Sequence, residues 1–195
     1  MLDKDILINI LQKLFEQSKK CHDEFNSVDG KIGDGDLGIT IFHGLEEINN
    51  NFLNFTEDIG SNFMICSKAF VKRSGSSFGT LIAFSLMNVS KEMSGKTNCN
   101  HEDIKLIFKT SLKTIIERGK TKLGDKTIAD TLDLIIQKLE ESENYSEVFK
   151  NSSKEAIEKF KGKKILIGRA RMFNEKTKNL DDPGMFAINK LCEVF

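Results

Sequence analysis

Between Val28 and Thr40 the chain reads Val-Asp-Gly-Lys-Ile-Gly-Asp-Gly-Asp-Leu-Gly-Ile-Thr, which sets Asp29, Asp34 and Asp36 in one short turn among Gly30, Gly33, Gly35 and Gly38. Three ionised carboxylates this close repel one another unless something positive sits between them. Hard oxygen donors suit Mg²⁺, which takes one or two carboxylates and completes its shell with water and phosphate oxygens. Metal plus phosphate is therefore the first chemistry to test. A calcium loop of the EF-hand kind is excluded by spacing. Counted from Asp34, its fifth position is Gly38 and its twelfth Leu45; counted from Asp29, its third is Lys31. The plain alternative is an Asp-Gly turn whose carboxylates bond to nearby backbone. Several glycines favour close approach of a ligand, but both readings stay open on these residues alone.

Three further segments could meet an anion. Gly119-Lys-Thr-Lys-Leu-Gly-Asp-Lys-Thr127 nearly spells a Walker A loop. Asp125 interrupts it, and the residues before it read as a helix where a P-loop needs a strand. It is not a P-loop, although Thr127 falls at a helix start, where unsatisfied N–H groups and the dipole favour negative charge. Arg73-Ser-Gly-Ser-Ser-Phe-Gly-Thr80 combines hydroxyls and backbone donors with one arginine. Gly168-Arg-Ala170 offers a planar guanidinium able to grip phosphate with two N–H bonds, and Asp182-Pro-Gly184 offers another helix start. Each has an equally ordinary structural reading. His22, His43 and His101 lie far apart without ligand spacing, and the run Lys161 to Lys164 reads as a solvated turn.

The elements that must carry these residues are helical. Apolar residues recur at helical spacing almost throughout, and strict alternation is scarce. A first long helix runs from Leu2 through Phe25, a second starts about Thr40, a third carries Phe63 and Phe70, and a fourth carries Leu81 and Leu86. The fifth begins after Asn100 and stops at Arg118-Gly119; the sixth runs from Thr127 to about Glu141, the seventh from about Ser146 to Phe160, and the last from Pro183 to Phe195. Eight helices in one domain, residues 1–195, is the expectation: an all-α fold. Lys plus Arg and Asp plus Glu both number 29, so no basic field invites nucleic acid. Cys21, Cys66, Cys99 and Cys192 are scattered without a CxxC pair, as free thiols in a reducing cytoplasm would be. No apolar run is long enough to span a membrane, and the first residues do not read as a signal peptide.

The order and spacing of four segments resemble the nucleotide-binding L subunit of dihydroxyacetone kinases and the carboxy-terminal domain of their single-chain, ATP-dependent versions. The matching residues are Asp29…Asp34-Gly-Asp36-Leu-Gly38, Ser74-Gly-Ser-Ser-Phe-Gly-Thr80, Gly119-Lys…Gly124-Asp-Lys-Thr127 and Gly168-Arg-Ala170…Asp182-Pro-Gly184. The resemblance implies an eight-helix antiparallel barrel with the nucleotide, ADP or ATP, at one end. It implies two Mg²⁺ ions on Asp29, Asp34 and Asp36. It further implies a lining of Leu37, Gly38, Ile39, Thr40, Arg73, Ser74, Gly119, Thr127, Ile128, Arg169, Asp182, Pro183 and Gly184, with Ser74 near phosphate, Ile128 near adenine and Arg169 counted with the aspartates as catalytic.

By the same resemblance the triose is held by a separate K subunit. In the form driven by a phosphotransferase relay, a phosphohistidine carrier recharges a retained ADP, and the single-domain length favours that form over an exchanging ATP. A homodimer stays open; nucleic acid and membrane are not expected partners. Departures from the family pattern stand at Leu37, at Lys72-Arg73 and across Arg171-Met-Phe-Asn-Glu-Lys176. Two rival readings are a nucleotide-loaded module that contacts a transcription regulator and the amino-terminal domain of a fatty-acid kinase; the Gly-Arg-Ala…Asp-Pro-Gly segment speaks against the latter.

Overall fold

The computed structural model describes residues 1–73 and 75–195. Eight α-helices make up the body among them: α1 Lys4–Asp29, α2 Leu37–Asn49, α3 Ile59–Arg73, α4 Ser77–Glu92, α5 His101–Gly119, α6 Ile128–Leu139, α7 Tyr145–Lys159 and α8 Pro183–Cys192. Each packs on its neighbours in the chain, and α8 packs back on α1, so the helices close into a ring. Mostly short connections make consecutive helices antiparallel. The expected all-α barrel is what the chain forms. A two-residue strand pair, β1 Leu2–Asp3 and β2 Asn98–Cys99, ties the amino end to the residues before α5.

Two large lobes make up most of the core, with two smaller apolar clusters beside them. Phe25, Ile41, Ile48, Ile59, Phe63 and Phe70 of α1 to α3 lead one. Ile115, Leu132, Ile135, Leu139 and Phe149 of α5 to α7 lead the other. Phe78 and Ile104 pack against both. All four cysteines are buried free thiols, and burial alone pushes Cys66 up to about 12, so they behave as small hydrophobes. None of the described helices is long and apolar enough to cross a membrane.

Helix starts follow local chemistry where a cap is supplied locally. Asn100 and Asp103 form a reciprocal capping box at α5, Thr127 and Asp130 another at α6, and Asp182 accepts the Met185 amide in front of Pro183 at α8. Several boundaries differ from the sequence reading: α1 runs from Lys4 to Asp29 rather than from Leu2 through Phe25, α8 stops at Cys192 rather than Phe195, and two further differences have a local cause. Helix α2 begins at Leu37, a turn before Thr40, because its start is capped from α1: Asn26 Oδ1 accepts the amides of Gly38 at 2.7 Å and Ile39 at 3.3 Å. Gly119 is the last helical residue of α5, and Lys120 takes the left-handed turn (φ 52°) that the sequence reading gave to the glycine.

Candidate functional site

Helix α1 ends at Asp29, and the next seven residues form the aspartate loop. Ile32, only 2% exposed, roots that loop in a small apolar cluster with Ile165 and Ala170, and Leu180 packs against it. At Gly38 a Cβ would lie 2.1 Å from the His22 carbonyl oxygen, so only glycine lets α2 start this close to α1. The three carboxylates are thereby converged: each offers an oxygen within 4.8 Å of the others.

Those oxygens are unequally committed. Asp29 Oδ2 accepts the amides of Gly35 at 2.8 Å and Asp36 at 3.2 Å, so the plain turn-forming role holds for one oxygen of one residue. Among the described residues no backbone N–H donates to the carboxylate of Asp34 or Asp36; the N–H donor to Asp34 is the Arg169 guanidinium, which pairs with its Oδ2. Partial burial raises the Asp29 carboxyl above the usual carboxylate range, with the amides of Gly35 and Asp36 opposing it. Asp36 is raised first by burial and then by the charges of Asp34 and Asp29. A cation reverses that logic by favouring the ionised forms. The donor set fits Mg²⁺: all oxygen, with acceptors left open on all three residues. Gly33 keeps the pocket clear, since a Cβ there would stand 2.4 Å from Asp29 Oδ1.

Ring topology gathers the rest. In an up-and-down ring the carboxyl ends of α1, α3, α5 and α7 share one rim with the amino ends of α2, α4, α6 and α8. That rim carries Asp29, Asp34 and Asp36; Leu37 to Thr40 in the first turn of α2; Arg73 ending α3; Gly119 ending α5; Thr127 and Ile128 starting α6; Arg169 between α7 and α8; and Asp182, Pro183 and Gly184 starting α8. Contacts link several of them. Thr40 Oγ1 donates to Ser76 Oγ at 2.9 Å, and Ser76 in turn caps α4 by accepting the Gly79 amide at 3.0 Å. A Cβ on Gly184 would lie 2.5 Å from Ile128 Cγ2, so α8 and α6 touch at their starts. Four helix starts aim their positive dipole ends at one rim. Arg73 is not drawn to the aspartates; it pairs with Glu46 of α2 at 3.1 Å. Ser74 lies outside the described residues.

The Walker-like segment before α6 is occupied with itself. Asp130 accepts the amides of Gly124 (2.6 Å) and Thr127 (2.8 Å). Asp125 Oδ2 accepts from the Thr121 hydroxyl (3.1 Å) and the Lys122 amide (3.0 Å). Lys126, 1% exposed, points inward and donates to the carbonyls of Lys163, Thr177 and Leu180. Asn26, Ile32, Lys126 and Thr177 were not singled out from the sequence. Only the Thr127-x-x-Asp130 capping box was locally legible; the others act on partners far away in the chain.

The model of the DAK2 domain matches residues 31–195, and the chain belongs to that family. It is 27% identical over 186 residues to the "PEP-dependent dihydroxyacetone kinase 1, ADP-binding subunit DhaL" of Listeria innocua, covering 95% of this chain and 91% of that one. It is 25% identical to the "PTS-dependent dihydroxyacetone kinase, ADP-binding subunit DhaL" of Lactococcus lactis, covering 100% and 97%. A solved structure of the dihydroxyacetone kinase from C. freundii in complex with AMP-PNP and Mg²⁺ superposes with a TM-score of 0.76 at 18% identity. That match covers 97% of this chain and 33% of the other, so this chain spans about a third of that protein and shares the fold of that part.

Proposed function

We propose that this chain is the nucleotide-binding subunit of a dihydroxyacetone-kinase-type phosphotransferase, working with a K-type subunit that holds a short ketose as acceptor. One observation carries the reading. Three carboxylates with open oxygens lie within 4.8 Å of one another, under an arginine, on the rim where the starts of α2, α4, α6 and α8 converge. The names of the Listeria and Lactococcus relatives, both ADP-binding subunits, support it. In this reading Asp29, Asp34 and Asp36 hold two Mg²⁺ ions, which when bound neutralise the phosphate oxygens of ADP or ATP. The chain's own part is positioning and electrostatics. The first turn of α2 from Leu37 to Thr40, Arg73 and Ser74, the Thr127-Ile128 start of α6 and Asp182 to Gly184 take the phosphates and base, with Gly119 beside them. Arg169 moves from Asp34 to the transferring phosphoryl group, where its planar fork can make two bonds. ADP retained as a prosthetic group and recharged by a phosphohistidine carrier is the form that the two relatives' names favour.

Thermal unfolding tests this directly. ADP with Mg²⁺ should raise the melting temperature strongly, by about 2.7 kcal/mol of stabilisation at a hundredfold excess over the dissociation constant. AMP should do almost nothing, because it lacks the β-phosphate that metal and helix starts share. Similar shifts with AMP, or shifts indifferent to EDTA, would leave only an adenine pocket. Chromatography of nucleotide released on denaturation separates retained from exchanging ADP.

A further inference from the structure

We propose that Lys126 is a positioning residue for Arg169, clamping both feet of the arch that carries the guanidinium to Asp34. The arch is the segment from Lys163 to Leu180 between α7 and α8. Lys126 Nζ donates to the carbonyls of Lys163 at 2.9 Å on one foot and of Thr177 at 3.2 Å and Leu180 at 2.6 Å on the other. An ammonium has three N–H donors, and three carbonyls use them all. None is left for phosphate, so the lysine of the Walker-like segment serves the arch. Its backbone adopts a left-handed conformation (φ 62°), uncommon for a residue with a side chain, and its side chain is almost fully buried.

The remaining contacts share that purpose. The Leu166 amide donates to the Asp125 carbonyl at 3.1 Å, binding one foot to the α5–α6 loop. Thr177, fully buried, accepts the Ile165 amide at 3.0 Å and donates to the Asn174 carbonyl at 2.7 Å, bracing one foot against the other. Between the feet the chain turns at Gly168 (φ 65°); Arg169 leaves toward Asp34, and Ala170 packs beside Ile32 of the aspartate loop. Arg169 has a mostly exposed side chain, so its direction is set by the backbone that carries it.

The inference rests on the nucleotide reading, and a double-mutant cycle on the full chain separates the two. Lys126→Met should weaken Mg-ADP binding about as much as Arg169→Ala does, on the order of tenfold, while Mn²⁺ titrated without nucleotide binds at least as tightly as in wild type. In the Arg169→Ala background Lys126→Met should cost nothing further, a coupling that general loosening of the fold would not produce. Thr177→Val, which breaks the brace with little change of volume, should show a smaller loss that also vanishes in that background. It decides the matter if Lys126→Met does not fold. Losses that add in the double variants, or Lys126→Met binding Mg-ADP like wild type, would overturn the assignment. If wild type itself fails to bind Mg-ADP, the nucleotide reading falls and takes this one with it.

Discussion

The aspartate loop between α1 and α2 and the Gly119–Thr127 loop between α5 and α6 lie on the same rim and are both glycine-rich and charged, yet they treat their polar groups in opposite ways. In the second, Asp125, Asp130 and Lys126 bond to backbone of their own loop or of the arch above it. In the first, Asp34 and Asp36 accept no N–H from the described backbone, and the carboxylates crowd together against their mutual repulsion. Charged groups that satisfy one another build structure. Charged groups held together with acceptors still open await a ligand, and the energy spent converging them is recovered when it binds.

The largest effects should come from breaking the contrast on its unsatisfied side. Asp34→Ala or Asp36→Ala should reduce Mg-ADP binding about a hundredfold or more by calorimetry, while the metal-free melting temperature holds or rises because like-charge repulsion is relieved. A metal-free melting temperature that falls would mean that these carboxylates serve the fold. The opposite sign is expected on the satisfied side. Lys126→Met strands three carbonyls, that of Thr177 buried and those of Lys163 and Leu180 partly so, and should cost about 2–4 kcal/mol in urea unfolding, with or without metal. A change within about 0.5 kcal/mol would show that the clamp is dispensable.

Smaller substitutions sharpen the comparison. Gly33→Ala pushes a Cβ toward Asp29 Oδ1 and should weaken Mn²⁺ binding roughly tenfold without altering the helical circular dichroism. Unchanged affinity would place the ion away from Asp29. The smallest effect concerns pH. Packing around the half-buried Asp182 raises its carboxyl to about 7, with the Met185 amide and Lys126 opposing the shift. A carboxyl raised in the folded state contributes stability below its unfolded pKa and loses it as pH rises toward 7. Asp182→Asn keeps an N-cap acceptor, so its stability relative to wild type should improve between about pH 4 and 7 by on the order of 1 kcal/mol. Parallel pH profiles for the two proteins would refute the assignment.

Much of this molecule was legible one segment at a time. Helical periodicity, Asn100 and Thr127 as caps and the Asp182-Pro183 start depend on residues within a turn of one another, and so they gave eight helices and most boundaries directly. The aspartate triplet was equally plain, because its three carboxylates stand within eight residues of chain. What the sequence could not decide was the fate of each charge once distant segments met. Asn26 caps α2 from another helix, Ile32 anchors the aspartate loop on residues more than a hundred positions away, and Lys126, which no reading of the sequence assigned, turns inward as a clamp. Hydrogen-bond donors and acceptors are spent on whichever partners the fold brings within about 3 Å. Residue type therefore announces which groups could bind a ligand, and only the closed ring of helices determines which of them remain free to do so.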